Sequence, residues 1–455
     1  MNRSLNYGTV VTHYASDASI DYMEYITRLA SKDIPAFKEE PYTNSLINYV
    51  SKIEFVYSGY QYPQQPLHPV NSTWEEIVTS LLEDTDFGHQ INRGSLVNDI
   101  VDNISAQATT PYDKMVLACE YIKSNMKWND HNSKYPTFNL RKAFQLKTGN
   151  SADLNLSLVL LLRELGIKAD PVILSTRKNG IAFKPQPSIS QMNYVIACAN
   201  IDGKDYLLDA TNRNIPFNML PFQCLNGEGL VVSKGAARWV PLLQEEKNTA
   251  LYYAVMKILP DGAIKGKLEL SQGGYEGATA RNEFAREGTL NYRKALIKDL
   301  SDWDVDSVSW KNMDNNKESV GTSYLLESDD VAQSGDNMIY LNVLMNMGQN
   351  INPFPHEIRN YPVDFGCPER INYVFTYEIP EGYTVESIPE PLNIALPDQG
   401  GTFKFYATKE GNKISVSSKF SLNSVFFAQP VYEILREFYH QISLKHAQQI
   451  VLKKV

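Results

Sequence analysis

Covalent chemistry in this 455-residue chain would have to start from a few hydroxyl, thiol and imidazole groups, and their placement is uneven. The seven histidines are His13, His68, His89, His131, His356, His440 and His446, so the stretch 132–355 carries none. Ser151 opens a leucine-rich segment. A serine hydroxyl attacks only when a base takes its proton, and the pull of a helix N-terminus, about 0.3–1 kcal/mol, is too small to ionise it. His131 is the one imidazole that a loop could fold over Ser151, yet it lies in the polar stretch 129–134, where a solvated surface histidine is expected. Asn150, Ser151 and Asp153 read more simply as a helix cap, with Ser151 capping, because short polar side chains satisfy the free N–H groups of a first turn. Cys119, Cys198, Cys224 and Cys367 form no CxxC pair, which gives neither a zinc ligand set nor a disulfide framework. Each is expected as a small buried hydrophobe. No metal and no cofactor are expected.

The elements that must position these groups are legible around them. Segment 152–166 has leucine on almost every side and ends in Gly166, the pattern of a nearly fully buried helix with a glycine C-cap. Segment 171–175 is a short apolar strand. Segment 193–209 is a hairpin turning at Asp202-Gly203, a type I′ signal. With those two residues in the turn, Ile201 faces Lys204 and Ile196 faces Asp209. Tyr194 is then diagonal to Asp209 on the same face, at roughly 7–8 Å between Cα atoms. Upstream, Ser72-Thr73-Trp74-Glu75-Glu76 starts a helix. A second helix is spaced by Tyr112, Met115, Val116, Cys119, Ile122 and Met126.

Three runs, taken in order, carry a family likeness: Lys147-Thr148-Gly149-Asn150-Ser151-Ala152-Asp153-Leu154-Asn155, Gly166-Ile167-Lys168-Ala169-Asp170-Pro171-Val172 and Tyr206-Leu207-Leu208-Asp209-Ala210-Thr211. Over about 111–230 the chain resembles the transglutaminase-like superfamily. There a glycine-containing loop delivers a cysteine to the start of a buried helix, and a histidine and an aspartate follow on neighbouring strands. Carried over by position, the cysteine falls on Ser151, the histidine on Tyr194 (or, one residue off, Asn193) and the aspartate on Asp209. The resemblance thus implies a degenerate triad. Tyrosine, with an ordinary pKa of about 10, is a poor general base. Trp128 and Tyr135 become candidate walls of the ancestral cleft, with Asn150 and Asn193 as further binding candidates. The chain also resembles a group of Bacteroidetes proteins in which this core lies between two uncharacterised domains. The likeness there includes Leu220-Pro221-Phe222-Gln223-Cys224 and Tyr361-Pro362-Val363-Asp364-Phe365-Gly366.

The expected fold class is α+β: a cysteine-proteinase-type core with a buried helix on an antiparallel sheet, followed by β-rich accessory domains. Residues 1–55 read as the tail of an upstream domain and a linker, 56–245 as the transglutaminase-like domain, 246–360 as a β-rich domain with helical insertions, and 361–455 as a β-rich domain with a terminal helix. In the first of these, 7–14 alternates like a strand, and 52–58 is strand-like. Later strands are expected at 252–259, 263–271, 338–343, 371–379 and 413–420, with a helix from Pro430 that puts Val431, Leu435, Phe438 and Ile442 on one face. The formal charge of −9 is spread along the chain without a Lys/Arg cluster, so no nucleic-acid partner is expected and an anionic membrane is a poor one. The longest apolar run, 154–162, falls short of the roughly 20 residues of a membrane-spanning helix. Met1 to Tyr7 lacks a basic stretch followed by an apolar one, so no signal peptide is expected in these residues.

The function expected is a catalytically silent binding or scaffold module for a peptide, a protein or a cell-surface glycan polymer. Its rivals are a serine-dependent peptidase or acyltransferase acting through Ser151, and a purely structural envelope protein. The resemblance implies export to the periplasm or cell envelope; cytoplasmic residence is the alternative.

Overall fold

Every residue from 151 to 162 is buried, which only a helix enclosed on all sides can achieve. The computed structural model describes the chain except residues 1, 13–17, 29, 31, 34–35, 54–58, 63–64, 70–72 and 336. In it the enclosing helices are α1 (Trp74–Glu83), α2 (Asn98–Gln107), α3 (Pro111–Asn125) and α4 (Leu140–Leu146), and the central one is α5 (Ser151–Glu164). The start of α1 follows the expected signal, Thr73 and Glu76 forming a reciprocal capping box. The end of α5 does likewise. Gly166, at φ 78°, donates to the Arg163 carbonyl, and Ile167 donates to that of Leu162, closing a Schellman motif.

One side of α5 lies on a five-stranded antiparallel sheet made of β1 (Lys168–Leu174), β2 (Tyr194–Ile201), β3 (Lys204–Leu208), β4 (Glu228–Val231) and β5 (Arg238–Pro241), in the order β5-β4-β1-β2-β3. The β2–β3 hairpin has the predicted register, with Ile201 opposite Lys204 and Ala197 opposite Leu208. Asp202 and Gly203 take φ values of 53° and 83°, the pair of positive angles that a type I′ turn requires.

The rest of the chain builds a second body around an eight-stranded sheet. Its strands are β6 (Asn248–Ile258), β7 (Ile264–Gly273), β8 (Asp304–Lys311), β9 (Val320–Ser328), β10 (Glu369–Glu378), β11 (Leu392–Ala395), β12 (Gly401–Glu410) and β13 (Lys413–Leu422). The order is β8-β9-β7-β6-β10-β13-β12-β11. All neighbours are antiparallel except β6 and β10. A four-stranded sheet of Ala332–Gly335, Met338–Asn342, Gln449–Lys454 and Tyr383–Ser387 shares its core. The parallel β6–β10 pair and one continuous apolar cluster join 246–360 to 361–455.

Helix α6 (Gly274–Lys298), a helical insertion of the expected kind within 246–360, is interrupted at Gly288, whose φ is 72°. Helix α7 (Tyr432–His446) buries Tyr432, Leu435, Phe438, Tyr439 and Ile442, whereas Val431, expected on that stripe, precedes the helix and is exposed.

The N-terminal strand expected at 7–14 is Asn2–Thr12, paired with Ala18–Arg28. The strand expected at 52–58 falls mostly on residues outside those described. The supposed linker is docked: Glu40 accepts hydrogen bonds from the Asn360 and Tyr361 N–H groups beside the buried Arg359 guanidinium. Arg177 ties the two bodies together by holding the Leu225 carbonyl and both carboxylate oxygens of Asp364.

Candidate functional site

The loop before α5 is drawn tight by its own side chains. Lys127–Trp128 pairs in parallel with Thr148–Gly149, so the chain carrying Trp128 lies beside the chain delivering Ser151. A Cβ at Gly149 would meet the Asp153 side chain at 2.3 Å, a distance that only glycine permits. The cap of α5 is Asn150, not Ser151. Asn150 Oδ1 accepts from the N–H groups of Ala152 and Asp153 at 2.9 Å, and Asp153 Oδ2 accepts from the Asn150 N–H at 2.8 Å. Asn and Asp three residues apart form the reciprocal box, and this moves Ser151 to the first helical position.

Ser151 is wholly buried. Its Oγ donates to the Ser133 carbonyl and accepts from the Ser133 N–H, both at 2.8 Å. Its N–H donates to the His131 carbonyl at 3.1 Å, an oxygen that also accepts from Trp128 Nε1 at 3.0 Å. No imidazole nitrogen is among the partners of this hydroxyl among the described residues; His131 contributes backbone, and its side chain is exposed.

The hairpin brings Tyr194 and Asp209 together. Tyr194 OH donates to Asp209 Oδ2 at 2.9 Å and lies 3.0 Å from Thr211 Oγ1. Asp209 is buried and saturated: Oδ2 also accepts from Asn155 Nδ2 at 2.8 Å, and Oδ1 accepts from the Thr211 N–H and hydroxyl. Burial, reinforced by the Asp209 charge, pushes the Tyr194 phenol well above its ordinary range, so it remains a hydrogen-bond donor and not a base.

Asn155 was visible only as a break in the leucine run. It is the latch of the site, bonding the Val195 carbonyl, the Asp209 carboxylate and the Ala210 N–H. Its signal is an amide set between leucines in a fully buried stretch of helix.

The four candidate binding residues separate. Trp128 lines a cavity of about 590 Å³ between the two bodies. Tyr135 packs edge-on to Phe87, with its carbonyl accepting from Ser133 Oγ and Asn150 Nδ2. Asn150 is the cap, and Asn193 pairs with the backbone N–H and hydroxyl of Thr176 at 2.9 Å. Phe222, Tyr275, Glu276 and Glu369 also line the cavity and were not anticipated, since they come from segments far apart in the chain. All four cysteines are buried and unbridged, and burial raises Cys119 to about 12 and Cys224 well above its usual range, leaving both as inert thiols. Among the described residues, no group of three or more His, Cys, Asp or Glu is placed to hold a metal ion.

Residues 98–206 match the transglutaminase-like superfamily. The core is transglutaminase-like. A second match, residues 337–452, is to a domain of unknown function with solved structure, DUF3858. No curated protein matches the chain. Among solved structures, the fold is similar to that of a putative protease from Parabacteroides distasonis ATCC 8503, at 11% identity and a TM-score of 0.51. That likeness covers 99% of this chain and 69% of the other. It bears on fold alone. No helix among the described residues is long and apolar enough to cross a membrane.

Proposed function

We propose that the transglutaminase-like core is catalytically silent and serves as a binding or scaffold module for a peptide, a protein partner or a cell-surface polymer in the periplasm or cell envelope. The observation that carries this reading is the engagement of Ser151: its hydroxyl gives its proton to the Ser133 carbonyl and accepts the Ser133 N–H. Acyl transfer needs that proton passed to a base and then to the leaving group. The position of the base holds a phenol whose proton is committed to Asp209. A serine-dependent hydrolase would need a base from elsewhere. Trp128, on the cavity between the two bodies, supports retention of a cleft in which a ligand can be held.

The test restores the missing groups. In Ser151→Cys the thiol lacks an imidazole, so iodoacetamide labelling at neutral pH stays slow and no peptide is cleaved or cross-linked. Adding Tyr194→His puts an imidazole beside Asp209 and speeds labelling above both the single variant and the wild-type background of four cysteines. If Ser151→Cys alone labelled as fast as the double variant and processed peptides, a base would already be present and the silent reading would be wrong.

A further inference from the structure

The cavity between the two bodies has a one-sided charge. Five aromatic residues line it, Tyr42, Trp128, Phe222, Tyr275 and Phe365, together with the carboxylates of Glu276 and Glu369. No lysine, arginine or histidine is among its described lining residues. The pairing of β6 with β10 sets Asn248 beside Glu369. The Asn248 amide holds Glu276: Nδ2 donates to Glu276 Oε1 at 3.4 Å and Oδ1 accepts the Glu276 N–H at 3.0 Å. Burial, and then the charge of Glu276, push the Glu369 carboxyl upward. Glu369 therefore holds its charge in a partly desolvated place beside a second, exposed acid, and an arriving positive charge would relieve both effects.

The aromatic part of the wall is held in place. Tyr275 OH donates to the Leu220 carbonyl at 2.6 Å, and its ring meets Phe222 edge-on. The Arg177 guanidinium over Phe222 already has Asp364 as its partner, so it does not neutralise the glutamates. Aromatic faces attract cations and cover the apolar stems that carry them. Rings and carboxylates without an opposing cation are thus complementary to an organic cation with an apolar stem. Trp128 connects the cavity to the Ser151 loop, because its Nε1 and the Ser151 N–H share the His131 carbonyl.

We propose that this cavity binds the cationic side chain of a peptide, an ammonium or a guanidinium, with Glu369 and Glu276 as its charge partners and Trp128, Phe222 and Tyr275 as its walls. The assignment rests on the binding-module reading above and adds the ligand class. It is tested on the full chain by calorimetric titration with end-blocked tripeptides, Ala-Lys-Ala and Ala-Arg-Ala against Ala-Gln-Ala and Ala-Glu-Ala. Lysine or arginine peptides should bind about tenfold or more tightly than the glutamine peptide, and the relative affinity of the two distinguishes an ammonium site from a guanidinium site. Glu369→Gln should weaken cation binding about tenfold, and Glu276→Gln, at an exposed position whose loss the fold tolerates, about threefold or more. Asp306→Asn, an exposed carboxylate outside the cavity, should change nothing. Equal affinity for the glutamine peptide would overturn the cationic class while leaving a binding module. Cation binding that survives both glutamate substitutions, or no saturable binding of either cationic peptide, would overturn the site. Neither result depends on whether Ser151 is reactive.

Discussion

His446 offers a hydroxyl–imidazole pair outside the transglutaminase-like core, and its behaviour with pH follows from its surroundings. The ring is buried, with Nδ1 accepting the Gln349 N–H and Nε2 2.8 Å from Ser418 Oγ. Because Nδ1 is an acceptor, the proton of the neutral ring is on Nε2, which donates to Ser418 and cannot take that hydroxyl's proton. Burial pushes the imidazole down to about 4. The unfolded chain, with an ordinary histidine near 6.5, therefore binds a proton that the folded chain refuses over the window from 6.5 to 4. The stabilising contribution is complete above 6.5 and is lost as pH falls toward 4. The limiting loss is about 3 kcal/mol, of which roughly 2 kcal/mol is gone between pH 7 and pH 5. Urea unfolding of wild type and His446→Gln at both pH values isolates this group from other titrations. The stability advantage of wild type should shrink by about 2 kcal/mol at pH 5. The ring signals of His446 in a histidine-labelled NMR titration should stay neutral to below pH 5. An advantage unchanged between the two pH values, or a ring that protonates near 6.5, would mean that burial does not hold His446 neutral.

The Tyr194–Asp209–Asn155 cluster predicts two further stability losses. Tyr194→Phe removes one of the four hydrogen bonds that Asp209 accepts and should cost about 1–3 kcal/mol by denaturant unfolding, with the hairpin amides exchanging faster. Asn155→Leu removes three bonds at once, to the Val195 carbonyl, the Ala210 N–H and Asp209 Oδ2, the last of which keeps only Tyr194; it should cost more, about 3–5 kcal/mol. An Asn155→Leu protein as stable as Tyr194→Phe would contradict the latch.

The parts of the site that depend on local geometry were legible in the sequence. A two-residue turn fixes every opposed pair of a hairpin, so Asp202-Gly203 suffices to place Tyr194 with Asp209. The capping residue was misplaced by one because Asn150, Ser151 and Asp153 can all satisfy a first turn, and the choice was made at long range by Ser133 taking the Ser151 hydroxyl. The unity of the β-rich region was hidden for a similar reason. It depends on parallel pairing between β6 and β10, more than a hundred residues apart, which no alternation within either strand encodes. The cavity is less legible still, since its glutamates and aromatic rings come from the α6 start, the β10 start and separate loops.

The proposed lack of a base at Ser151 can be read by incubating the wild-type protein with a fluorophosphonate and weighing the intact chain. An activated serine displaces fluoride and keeps the phosphonyl group through a new O–P bond. The hydroxyl bound to Ser133 should leave the mass unchanged at neutral pH over hours. A single phosphonyl adduct mapped to Ser151 would mean that a base activates this serine.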